Sequence, residues 1–172
     1  MRPSDLAVRS LRLVRLSKKP QPNSRIIENR KARFDYHIED TLEVGIVLVG
    51  SEVKAIREGN VSLGEGYVLA EGVPPHLTLL GVNIGDFQPA GGMGHRPVRA
   101  RALLAHKREI AKFAKLVDQK GMTIVPLKLY FKEGWAKLLI GLARGKSQSD
   151  KRQSIGEREA KRDIDRAMSR RR

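Results

Sequence analysis

The amino-acid sequence predicts a mainly β fold: an OB-like antiparallel β-barrel with one short and one longer helix, followed by a basic C-terminal tail that is disordered when free. Three observations carry this prediction. Apolar stretches such as "VGIVLVG", "GYVLAEG" and "LTLLGVNI" have strand length and are joined by short links. One segment, "LLAHKREIAKFAKLVDQKG", has the spacing of a longer amphipathic helix. After Gly145, large apolar residues nearly vanish and charge takes over. Several short strands in one small unit leave unpaired edges, and closing the sheet on itself removes them.

Composition divides the chain into a basic flexible extension (residues 1–28), the barrel (29–144) and the tail (145–172). In the extension, "SKKPQPNS" reads as a linker, and Arg9, Arg12 and Arg15 recur three apart between leucines. That pattern suits either an organelle transit peptide or a plain basic extension; a secretory signal would need an apolar core that is missing. "FDYHIEDTLEVGIVLVG" predicts two short strands, with Glu39 and Asp40 in a turn. In "SEVKAIREGN", Ser51 is the expected N-cap, Val53 and Ile56 share a face, and Gly59 ends the helix. "EGVPP" turns the chain between the next two strands, and "QPAGGMGHRP" is a loop. In the longer helix Ile110, Phe113 and Val117 share a face and Gly121 stops it. A hairpin follows. Val125, Leu127, Leu129 and Phe131 are expected on one side, "KEG" forms the turn, and Leu138, Ile140 and Leu142 alternate on the return.

Charge narrows the function. Lys and Arg number 34 against 19 Asp and Glu, a formal net charge of +15 over 172 residues. Such an excess suits a polyanion: nucleic acid first, an anionic membrane second. There is no cysteine, which excludes disulfides, thiolate nucleophiles and Cys-ligated zinc. No apolar run approaches membrane-spanning length. His37, His76, His95 and His106 show no metal-ligand spacing, and no serine lies in a nucleophile-elbow motif. "GLARGKS" is one residue short of a phosphate loop, so Gly145 reads as the end of the last strand and Lys146 as a phosphate contact. The reading is therefore a binding protein without cofactor, and not an enzyme.

Two basic sets stand out. "NRKARFDY" places Arg30, Lys31 and Arg33 beside Phe34 and Tyr36, where cations suit phosphates and rings suit bases, although both rings could equally be core. Lys54 and Arg57 lie on the polar side of the short helix. In the tail Arg158, Arg162 and Arg166 recur at i, i+4, i+8. Glu157 and Lys161 form a favourable pair, and Ala160, Ile164, Ala167 and Met168 make a thin apolar stripe. A lone helix of this size is marginal in water, so the tail is expected to fold on binding.

The stretches "NRKARFDYHIEDTLEVGIVLVGSEVKAIREG", "HKREI" and "GLARGKSQSDKR" resemble the SsrA-binding protein (small protein B) family, in order and spacing, from about Asn29 to Met168. The resemblance implies an OB-like barrel that grips the tRNA-like domain of transfer-messenger RNA. It implies delivery of that RNA to stalled ribosomes for trans-translation, with an elongation factor acting on the same complex. The tail would occupy the empty messenger channel near the small-subunit decoding region. The protein would be cytoplasmic, monomeric and free of membranes. By matching positions, Asn29, Arg30, Tyr36, Glu43, Gly45, Lys54, Arg57, Leu104 and Lys137 fall to the RNA-binding face. Gly145, Lys146, Asp150, Lys151, Arg152 and Met168 fall to the ribosome-binding tail. Ser149 and Ala160 stand where family members often carry stacking rings. The rival reading is a general RNA binder on the same barrel.

Overall fold

The computed structural model describes residues 25–86, 94–152 and, further along the tail, 156, 159, 162, 166 and 168. In chain order the elements are β1 (Ile27–Glu28), α1 (Arg30–Asp35), β2 (Tyr36–Ile46), α2 (Gly50–Glu58), β3 (Val61–Ser62) and β4 (Tyr67–Glu71). There follow β5 (His76–Leu80), β6 (Asn83–Ile84), β7 (Arg101–Leu104), α3 (Lys107–Lys120), β8 (Thr123–Lys132) and β9 (Trp135–Gly145). Six strands close in the order β8-β4-β5-β7-β2-β9 and back to β8, every pairing antiparallel. β1 adds to β8, and β3 pairs with β6 in a small second sheet. The expected barrel and its two helices are therefore present. Ile27 and Glu28 pair with Leu129 and Lys128, so the barrel's pairing begins two residues before the expected boundary. The extension before residue 25 lies outside the described residues.

Local sequence accounts for most of these elements. Gly59 and Gly121, both at positive φ, end α2 and α3 as read. Glu133 and Gly134 both take positive φ in the two-residue turn between β8 and β9, the geometry that follows strand twist. Leu138, Ile140 and Leu142 point into the core. Phe113 and Ile110 bring α3 onto it.

Three expectations are corrected. β2 is one strand of 11 residues, not two. The register against β9 shifts between Ile38 and Asp40, so Glu39 occupies a bulge rather than a turn. Asp40 then bonds Lys112 of α3 at 2.6 Å, and Glu39 faces Arg144 at 3.4 Å. Val125 and Leu127 do not share a side with Leu129: the register of β8 shifts between Pro126 and Lys128. The extra residue turns Val125 and Leu127 outward into a second small core with Ala32 and Ala143, while Leu129 stays inside. Pro126 has no N–H for the ladder, which suits an interrupted register. Finally, Ser51 does not cap α2. The helix starts after Val49, whose N–H donates to the Glu52 carboxylate at 2.9 Å, and Ser51 Oγ instead meets His95 Nδ1 at 2.9 Å.

α1 is a helix that apolar periodicity does not announce. Asn29 caps it, accepting from the Ala32 N–H at 2.9 Å. The same side chain donates to the carbonyls of Leu63 and Pro126, each at 2.9 Å. Only Ala32 of the helix is fully buried, against the outward residues of β8 and β9.

A charged group lies in the interior. Arg101 on β7 and Glu52 on α2 are both fully buried. Arg101 donates to Glu52 at 2.8 Å and to the carbonyls of Val82, Arg99 and Pro97 at 2.9, 3.0 and 2.9 Å. Glu52 also accepts from Arg99 at 2.8 and 2.6 Å. Burial alone raises the Glu52 pKa, but the bonds from Arg99, the Val49 N–H and Arg101 overcome it and hold the carboxyl below the usual range.

Described tail residues (148–152, 156, 159, 162, 166 and 168) have helical backbone, the conformation expected of the bound tail. Arg158 and Lys161 lie outside the described residues.

Replacing Glu52 by Ala strands the Arg101 cation, and the expected loss is about 3–5 kcal/mol in urea unfolding. Because the Glu52 pKa is lowered in the fold, its contribution is complete above the ordinary carboxylate range. It drains away as pH falls through that range. Urea midpoints measured from neutral to acid pH should therefore fall more steeply in the parent protein than in Glu52→Ala.

Candidate nucleic-acid interface

Strand register assembles one set of predicted residues. Leu104 on β7 pairs with Gly45 on β2, Gly45 pairs with Lys137 on β9, and Lys137 pairs with Tyr130 on β8. The row crosses four strands on the barrel's outer surface. Gly45 matters there because a Cβ would stand 3.3 Å from Leu104 Cβ, tighter than ordinary contact. Glu43, two residues before Gly45 and so on the same side, completes the cluster.

Glu43 accepts a hydrogen bond from the Tyr130 hydroxyl and lies 3.6 and 3.9 Å from Lys132 and Lys137. In the free protein this acid is therefore an ion-pair partner of two lysines. The Tyr130 bond, then the two lysines, lower the Glu43 pKa against a partial burial effect. Burial first, then the bond and charge of Glu43, push the Tyr130 phenol up to about 12. At neutral pH the pair is thus a fixed hydroxyl donor and a fixed carboxylate. A groove of about 800 Å³ opens beside them, lined by Glu43, Gly45, Leu104, Lys137, Val47 and Trp135 among others. Lys54 and Arg57 are exposed on α2, and the Arg57 guanidinium lies 5.4 Å from the centre of the Phe131 ring.

The other basic set lies elsewhere. Arg30, Lys31 and Arg33 are exposed on α1, and Lys31 faces Glu65 at 3.9 Å. Tyr36 starts β2 and Gly45 lies near its end, roughly 30 Å apart along an extended strand. Phe34 and Tyr36 are half-buried. Tyr36 packs on the small outer core and lines a second groove of about 380 Å³ with Lys31 and Tyr67. Asn29 is 5% exposed and its amide bonds three backbone groups, so it positions α1.

The tail leaves from this second region. Lys146 donates from its backbone N–H to the Asp35 carbonyl at 2.8 Å and from Nζ to the Arg33 carbonyl at 3.2 Å. Lys151 bonds the Asp35 carboxylate at 2.8 Å and lies 5.9 Å from the Phe34 ring centre. Ser147 and Asp150 exchange hydrogen bonds, Ser147 N–H to the carboxylate at 3.1 Å and Asp150 N–H to the hydroxyl at 3.2 Å. That reciprocal box starts the tail helix. His37 lies 3.6 Å from Asp150. The two Ser147 bonds, then His37, lower the Asp150 pKa. Arg152, Arg162, Arg166 and Met168 are exposed.

Sequence reasoning passed over Tyr130, Lys132, Trp135, Asp35 and Ser147. For Ser147 the signal was the spacing S-x-x-D before a helix, and for Trp135 its odd number in a strand whose even positions are core. Among the described residues no cluster of His, Asp and Glu is placed to hold a metal, and no helix is long and apolar enough to cross a membrane.

Comparison with known proteins gives the family. The SmpB protein family model matches residues 26–170. The SsrA-binding protein of Anaeromyxobacter sp. (strain K) is 53% identical over 83% of this chain and 86% of its own. That of Myxococcus xanthus (strain DK1622) is 47% identical over 88% and 93%, and that of Trichodesmium erythraeum (strain IMS101) 48% over 89% and 98%. A solved chain from "tmRNA-SmpB: a journey to the center of the bacterial ribosome" matches with TM-score 0.61 and 41% identity, covering 76% of this chain and 94% of that one. The chain belongs to the SmpB protein family.

Proposed function

We propose that this chain binds the tRNA-like domain of transfer-messenger RNA through the Leu104–Gly45–Lys137–Tyr130 row and delivers it to stalled ribosomes for trans-translation. It does so in the cytoplasm, as a monomer and without chemistry of its own. The observation that carries the reading is that row. With Glu43 and Lys132 beside it, the row combines cations, a fixed carboxylate and an exposed apolar group on paired strands, which is more than phosphate attraction needs. The relatives' name, SsrA-binding protein, and the tmRNA–SmpB structure on the bacterial ribosome point the same way.

The tail is the second contact. Its root is held on α1 by Asp35, and its helix is started by Ser147 and Asp150. The tail beyond Ser147 then lies as a basic helix in the empty messenger channel near the decoding region, with Lys146, Asp150, Lys151, Arg152, Arg158, Lys161, Arg162, Arg166 and Met168 of the tail as its ribosome contacts. An elongation factor acts on the same complex.

Two outcomes are expected. Labelled transfer-messenger RNA bound at near-physiological salt should resist equal concentrations of ordinary tRNA and of unstructured RNA; displacement by either would mean a general polyanion binder. A chain shortened after Arg152 should keep its affinity for transfer-messenger RNA within about twofold, the scatter of an ordinary surface change. It should also lose peptide tagging on stalled ribosomes; intact tagging would remove the tail from the mechanism.

A further inference from the structure

Trp135 is the chain's one tryptophan, and it stands 74% exposed at the edge of the larger groove. A ring of this size left in water marks a recognition surface, since burial is its favoured state. Its backbone is rigid. It directly follows the two-residue turn Glu133–Gly134 and pairs with Lys132. It lies two residues from Lys137 on the same side of β9. Leu104, 61% exposed, and the exposed Val47 give the groove further apolar lining, and Gly45 leaves its floor without a side chain.

The chemistry around this apolar slot is specific. Lys132 and Lys137 stand on its rim, held by Glu43. Their contacts to Glu43 Oε1, at 3.6 and 3.9 Å, are longer than hydrogen bonds, so that oxygen keeps acceptor capacity. A flat aromatic face, an aliphatic wall, cations beside them and one carboxylate oxygen suit a nucleobase that has left its stack. The ring stacks, the phosphate meets lysine, and an amino or ribose hydroxyl group donates to Glu43. A partner protein's apolar side chain would use the slot but not the lysines and the carboxylate together.

We propose that Trp135 is a stacking platform for an unstacked base of the bound RNA, with Leu104 as apolar wall and Glu43 as acceptor. The inference rests on the function proposed above and deepens it by naming the specificity element of that surface.

The full-length protein is titrated with a transfer-messenger RNA transcript while tryptophan emission is followed, which reports Trp135 alone. Affinity is measured separately by filter binding for the parent, Trp135→Phe and Trp135→Ala, with thermal midpoints confirming that each variant folds. Emission should be quenched along the binding curve. Trp135→Phe should bind close to the parent, and Trp135→Ala about 5- to 150-fold more weakly, the range for losing one base–aromatic stack. Unchanged emission, full affinity in Trp135→Ala, or equal weakening in Phe and Ala would each overturn the stacking role while the parent's RNA binding stands. An emission change that needs ribosomes would overturn it as well. If the parent itself fails to prefer this RNA over tRNA, the function proposed above falls instead.

Discussion

The display of the candidate RNA face depends on a carboxylate that never meets water. Glu52 joins α2 to β7 through Arg101 and Arg99, and Arg101 in turn ties down the chain at the carbonyls of Val82, Pro97 and Arg99. A buried pair of this kind is weak evidence for stability as such, because an apolar set of similar volume often serves as well. Its effect here is on register. β7 has only four residues, and Arg101 and Leu103 face inward while Ala102 and Leu104 face out. Slipping the strand by one residue would pull Arg101 from Glu52 and turn Leu104 into the barrel. The ion pair therefore fixes the side on which Leu104 appears, and with it one wall of the groove.

Two bulges govern the rest of the outer surface. At Glu39 in β2 and Leu127 in β8 an extra residue reverses which side chains face out. On one side of the bulges, the outward residues are apolar and α1 covers them through Ala32. On the other side, the outward residues include Glu43, Gly45, Tyr130 and Lys137, and among the described residues no helix covers them. One sheet thus carries two different outer surfaces. The helix-covered end also anchors the root of the tail through Asp35, so that root and the groove stand at opposite ends of β2.

What was legible follows from how local each signal is. α2 and α3, their glycine stops, the tight turn and the alternation of β9 depend on near neighbours, and they were read correctly. α1 depends on Asn29 reaching Leu63 and Pro126, contacts distant in sequence, and "RKARFD" shows no apolar period. The bulges are set by cross-strand pairing, so simple alternation misplaced Val125 and Leu127. Arg101, in "RPVRARALLAH", looks like one more surface cation until its partner on α2 is known. Within the site, Glu43, Gly45, Leu104 and Lys137 came from family resemblance, since only the closed barrel brings their strands together. Asn29 came the same way, and the structure buries it as the cap of α1. Trp135 was readable from strand parity alone.

Charge and specificity are separate properties of this molecule. A net charge of +15 draws in any polyanion, and screening by salt weakens that attraction for every RNA alike. Among the described residues, most of the cations sit on exposed side chains. The groove differs. There Glu43 spends part of the positive charge of Lys132 and Lys137 in the free protein, which lowers general attraction at that spot. An acid in such a place weakens binding to any ligand that offers only phosphate. It favours a ligand that presents a hydrogen-bond donor at the right height above the sheet. The Tyr130 phenol, held protonated by burial and by Glu43, cannot substitute as a second anion. At such a patch a ligand is selected by the donors it presents, whereas cations elsewhere respond to phosphate charge alone.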